Sequence, residues 1–162
     1  MSGPRENTAH GAPEKPGGPE SYFDLLTATR MLPLVDRVVK DVLQHNDEVN
    51  RLQPELENLH RNRRSLTWPQ RCRLYQVRDE LAEAERNLQE VFAELEVLGL
   101  TLIDNDEGQI GFPTIVNNRP AYFSWIPGDE ALRFWHFADE IARRPIPPAW
   151  LRETEGVRSS KR

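Results

Sequence analysis

VDRVVKDVLQHNDEVNRLQPELENLHRNRRSLTWPQRCRLYQVRDELAEAERNLQEVFAELEVL, residues 35–98, decides the fold. In its first half, alternating steps of three and four pick out Val35, Val38, Val42, His45, Val49, Leu52, Leu56 and Leu59. In its second half the same steps pick out Leu74, Val77, Leu81, Ala84, Leu88, Val91, Leu95 and Leu98. Both stripes keep the 3.5-residue period of a coiled-coil seam, so the stretch predicts an antiparallel helical hairpin. Pairing residues whose numbers sum to 133 sets Val35 against Leu98, Val42 against Val91, Leu52 against Leu81 and Leu59 against Leu74, and closes every layer. His45 then faces Leu88 and reads as a packed seam residue.

The ends of the arms carry their own signals. Asp24 or Thr27 can cap a first short turn, and Pro33 fits near the start of the long helix, where its missing N–H has no partner to lose. Helix one is expected over about 31–61, with a kink at Pro54 on its outer face. Thr67, Trp68, Pro69 and Gln70 form the pattern of a capping box for helix two, and Gly99 closes it. On one flank the facing pairs Asp41 with Glu94 and Glu55 with Glu80 repel, so no salt bridge is expected there. On the other, Val39 meets Phe92 with Leu32 nearby, leaving an apolar base that needs a cover.

Short strands at 100–104, 109–116 and 121–125 supply it, joined by turns at Asp104–Gly108 and Asn117–Asn118. The acidic turn lacks EF-hand spacing and has Ile115 where the final glutamate belongs, so calcium is rejected. Residues 129–143 read as a C-terminal helix, with acids first and arginines last, ended by Pro145, Pro147 and Pro148. The expected fold is α+β: a long antiparallel helical hairpin, coiled-coil-like, with a small antiparallel β-meander and a short C-terminal helix packed at its base. Residues 1–20, rich in proline and glycine, are expected to form a disordered tail, 21–150 one domain with the hairpin over about 31–98, and 151–162 a mobile tail.

Composition narrows the class. A net charge of −5, with 29% charged residues, fits a mildly acidic globular protein and gives no bulk attraction to polyanions. No apolar run approaches the ~20 residues that span a bilayer, and the N-terminus lacks a signal-peptide core, so no membrane contact and a cytoplasmic location are expected. The single cysteine, Cys72, cannot form an internal disulfide.

Several scattered residues form a second pattern: Leu32, Pro33, Leu34 and Val35 early, Phe112 with Pro113, then Trp125, Gly128 with Asp129, Trp135 with His136, and Arg144. With the hairpin between them, these resemble an uncharacterised bacterial family, the domain of unknown function 2203 family, over about 22–147. Ser124 stands where that family often has cysteine, and Asp129 where it often has glutamate. The resemblance implies a fold and a residue cluster, and no activity.

Two constellations are candidates for function. Trp125, Asp129, Glu130, Trp135, His136, Asp139 and Glu140 place a histidine and carboxylates at helical spacing, the residue types of an acid–base or metal site, with tryptophans for walls. The same residues also suit a core and a helix start, and neither a metal nor a cofactor is expected. The second is the hairpin tip. Between His60 and Arg78 lie Arg61, Arg63, Arg64, Arg71, Arg73 and Arg78 with no acid, and with Trp68 and Tyr75 among them; the rest of the chain therefore carries −11. The helix dipole accounts for arginines at the end of helix one but not for Arg71 and Arg73 at the start of helix two. The favoured reading is a non-enzymatic interaction or scaffold module that binds a protein or a second copy of itself. Its alternatives are nucleic-acid binding through Arg61, Arg63, Arg64, Trp68, Arg71 and Arg73, and a metal-assisted enzyme built on His136.

Overall fold

A computed structural model describes residues 22–152 of the chain. Helix α1 runs over Leu25–Arg61 and α2 over Trp68–Val97. Five strands follow: β1 Thr101–Asp104, β2 Gln109–Val116, β3 Arg119–Trp125, β4 Phe134–Phe137 and β5 Arg144–Pro145. They form one antiparallel meander in chain order, and a short helix at 148–152 completes the described chain. No helix among the described residues is long and apolar enough to cross a membrane.

Both apolar stripes line the inside of the hairpin. Val35, Val38, Val42 and Leu52 of α1 are buried, as are Val77, Leu81, Ala84, Leu88, Val91 and Leu95 of α2. The seam divides into two clusters. At the base, Val35, Val38, Val39, Val42, Leu88, Val91 and Leu95 join the sheet core. Farther out, Leu52, Val77 and Leu81 form a separate cluster, the expected Leu52–Leu81 layer among them. Half-buried Val49 packs against both. Between the clusters stand polar His45 and small Ala84, which cannot continue the apolar packing.

The sheet turns one face to this base. Phe112 lies opposite Phe123, which lies opposite Trp135, and all three are buried. Side chains alternate across a strand, so Tyr122, Ser124, Phe134 and His136 share the opposite face. Asn117 and Asn118 both have positive φ, 52° and 58°, which builds the tight turn between β2 and β3 with the twist a hairpin needs. At the β1–β2 turn Gly108 has φ +70°, and a Cβ there would stand 2.7 Å from Val39 Cγ1. The helix and turn therefore touch backbone to side chain, and Asn46 Nδ2 donates to Asp106 Oδ1 at 3.0 Å beside that contact.

Three expectations need correction. No helix occupies 129–143: Phe134–Phe137 is β4, paired with Ala121–Ser124, and Arg144–Pro145 is β5. Trp135 and Phe137 alternate with His136 and bury against the sheet core, which outweighs the helix-like charge order at the ends of the segment. The short C-terminal helix lies instead at 148–152, where Pro148 takes the first position and Trp150 and Leu151 pack on the core. Helix α1 also begins earlier than 31. Asp24 Oδ1 accepts from Thr27 N–H at 2.7 Å, and buried Leu25 and Ala28 hold the first turns, so Pro33 sits inside the helix on its exposed side. Finally, the acidic flank is bridged, as described below. The tail expected at 1–20 lies outside the described residues, as does the tail expected at 151–162 from residue 153 on, while 151 and 152 belong to the short helix and Leu151 packs on the core.

Candidate functional site

The tip of the hairpin is built by tight local chemistry. Asn62 ends α1, its Nδ2 donating to the Asn58 carbonyl at 3.0 Å, and Ser65 N–H donates back to the Asn62 carbonyl at 2.9 Å. Leu66 is buried in the turn, 8% exposed. Thr67 starts α2, and Gln70 Oε1 accepts from its backbone N–H at 2.8 Å, closing the capping box. The turn is thus held by its own backbone, which leaves the side chains of Arg61, Arg63, Arg64, Trp68 and Arg71 pointing away from any core. All five are exposed, and Trp68 is 75% exposed. Arg61, Arg63, Arg64 and Arg71 make no ion pair with any described residue. Tyr75, 57% exposed, carries the Arg78 guanidinium over its ring at 5.2 Å.

Arg73 belongs to a different arrangement. Its Nε and Nη2 donate to both carboxylate oxygens of Glu55 at 2.6 and 2.9 Å, and Nη1 lies 3.8 Å from Glu80. The two acids expected to repel across this flank therefore share one guanidinium. Its planar fork suits that bidentate geometry. The hydrogen bond from Arg73 holds the Glu55 carboxyl below its usual 4.5. A lowered carboxyl contributes stability above its ordinary pKa and loses it as pH falls through the folded value. Glu55→Gln is accordingly expected to melt below the wild type at pH 7, with the gap closing as the pH is lowered below the usual 4.5 in parallel thermal scans. A gap that persisted at low pH would mean that Glu55 acts by packing alone.

Inward from this clamp lies an open groove of about 660 Å³, lined by His45, Glu48, Arg51, Arg73, Glu80 and Glu83 among others. His45 Nδ1 is buried there without a hydrogen-bond partner, 3.8 Å from Glu48 Oε2.

The C-terminal constellation is dispersed by the sheet. Trp125 and Trp135 are core side chains, 3% and 8% exposed. His136 lies on the other face against the Tyr122 ring, its Nδ1 donating to the Phe137 carbonyl at 2.7 Å. Three of the carboxylates are each taken by an arginine: Asp129 by Arg143 at 2.7 Å, Asp139 by Arg119 at 3.2 Å, and Glu140 by Arg144 at 2.7 Å. Among the described residues, no three His, Cys, Asp or Glu side chains converge where they could share a metal ion. Gly128, with φ +102°, turns the chain so that Asp129 can accept from Ile126 N–H and Arg143, while its carbonyl accepts from Trp125 Nε1.

Sequence reasoning missed the organiser of this region. Arg143 donates to Asp129, to the Ser124 carbonyl and to Ser124 Oγ, and Gln109 donates to the same hydroxyl at 2.8 Å. Arg143 also lies over the Phe134 ring at 4.2 Å. No spacing rule links residues 109, 124, 129 and 143, because only strand pairing brings them together.

Residues 21–146 match the family model described as "Uncharacterized conserved protein (DUF2203)". The chain belongs to this family. Its early aromatic segment, hairpin and sheet all fall within the matched range, and the family description names no reaction. No curated protein and no solved structure matches the chain. Within this DUF2203 protein, Trp125 and Trp135 lie in the sheet core, His136 is buried on its other face, Gly128 and Asp129 form the turn after β3, and Arg144 pairs with Glu140.

Proposed function

We propose that this protein is a non-enzymatic interaction module that uses the hairpin as an arm and its basic tip as the contact surface. The carrying observation is Trp68, 75% exposed at the start of α2, in a tip segment that also carries exposed Arg61, Arg63, Arg64 and Arg71, which have no ion-pair partners among the described residues. A large exposed aromatic ring beside unneutralised cations is unfavourable in isolation and is the composition of a contact centre. Charge segregation supports the same reading: six arginines stand at the tip of a chain whose remainder carries −11. An anionic partner is drawn to the tip and repelled by the body.

The Arg63→Ala, Arg64→Ala, Arg71→Ala triple variant tests this. It is expected to elute from a heparin column at distinctly lower salt than the wild type with an unchanged melting temperature, since none of the three side chains supports the fold. Equal elution would remove the tip as the contact surface.

A further inference from the structure

We infer that the partner at the tip is single-stranded nucleic acid, with a base stacked on Trp68 and phosphates held by Arg61, Arg63, Arg64 and Arg71. This rests on the tip being the contact surface, and three observations narrow the partner. First, every cation of the tip is arginine; the three lysines, Lys15, Lys40 and Lys161, lie elsewhere in the sequence. Guanidinium groups grip phosphate bidentately and also stack on bases, which suits a polyanion that carries rings. An acidic peptide offers carboxylates but no row of rings for the indole.

Second, Trp68 is displayed rather than packed. It stands in the first turn of α2, held outward by the capping box at Thr67, with Arg71 one turn farther along the same helix. Stacking on an exposed indole needs an unpaired base with a free face, and a duplex hides both faces of each base except at its ends.

Third, the charge of α2 dictates an end-on approach. Away from the tip, α2 carries exposed Asp79, Glu83, Glu85, Glu90, Glu94 and Glu96 with Arg86 among them, whereas on α1 exposed Asp41, Asp47 and Glu57 are balanced by exposed Arg37, Lys40 and Arg51. A duplex laid along α2, the geometry that reads a groove, would run its phosphates past this row of carboxylates. A flexible single strand crossing only the tip avoids them.

Fluorescence anisotropy with the full chain tests the inference, using a labelled single-stranded oligonucleotide of about 12 nucleotides, its duplex form and labelled poly-glutamate. The single strand is expected to bind at least roughly tenfold more tightly than the other two. With four free arginines on a single strand, the slope of log K against log salt should be about −3. Trp68→Ala should weaken the single strand roughly ten- to hundredfold, and Trp68→Phe should restore most of the loss. Trp68 is 75% exposed and has little burial to lose, so both variants keep the fold. If all three probes bind with arginine dependence but Trp68→Ala changes nothing, the contact surface stands and its partner is an acidic protein, which overturns this inference. If none binds, or if the arginine triple variant binds as the wild type does, the contact surface itself is lost.

Discussion

Leu52→Asp is expected to melt the outer half of the hairpin while the base stays folded. Leu52 is 2% exposed and forms the outer cluster with Val77 and Leu81, and half-buried Val49 packs against both this cluster and the base core. A leucine removed from such a site costs about 2–5 kcal/mol, and a carboxylate in its place adds an unpaired buried charge. Three buried side chains cannot absorb that loss. The base holds nineteen buried hydrophobic residues, and Trp125 and Trp135 are among them, with Trp150 packed alongside. Far-ultraviolet circular dichroism should therefore lose helical signal, whereas the near-ultraviolet signal of the buried tryptophans survives. Loss of both together in one transition would show that the hairpin and sheet form a single cooperative unit. The same variant should also lose the contact surface, because Trp68 and the arginines are displayed by the helix ends that melt.

Phe112→Ala is expected to do the reverse and unfold the molecule from its base. Phe112 has no exposure, lies opposite Phe123 on β3 and meets the Phe23 ring edge-on at 5.6 Å. Beside it, Phe23 N–H donates to the Pro113 carbonyl at 2.7 Å, so this point also ties the entry of α1 to the sheet. Truncating a buried phenylalanine costs about 3–5 kcal/mol through lost transfer energy and the cavity left behind. Against a typical total of about 5–15 kcal/mol this is a large share, and a fall in melting temperature on the order of 10–20 °C is expected. Thermal scans following helix and tryptophan signals should show one shifted transition for this variant. A shift of only a degree or two would mean that the strand core is not the cooperative centre.

The hairpin was legible because its stripe depends on local periodicity, and every predicted seam residue is buried or half-buried. Strand β2 has its predicted bounds for a similar reason: a turn signal stands at each end, Gly108 before it and Asn117 after. Residues 129–143 misled because their charges serve distant partners. Asp129 reaches Arg143 and Asp139 reaches Arg119, so an order that resembles dipole compensation arises from tertiary pairing. The alternation in Phe134–Phe137, two core aromatics flanking His136, was the available sign of a strand. Arg73 was misplaced for a related reason. Its long side chain reaches from one helix to Glu55 on the other, beyond the layer-by-layer pairing that the seam suggests. The charge segregation at the tip, in contrast, is a property of composition along the chain, and the structure adds to it the exposure of Trp68 and the lack of ion-pair partners among the described residues for four of the arginines.

Two-dimensional proton–nitrogen NMR of the full chain, titrated with a single-stranded oligonucleotide, tests the central claim most directly. The four tryptophans give four indole N–H signals, at residues 68, 125, 135 and 150. The Trp68 indole and the amides of 61–71 are expected to shift with added strand, while the indoles of Trp125 and Trp135, buried in the base, stay in place. Shifts centred on the sheet with Trp68 unmoved would contradict that claim.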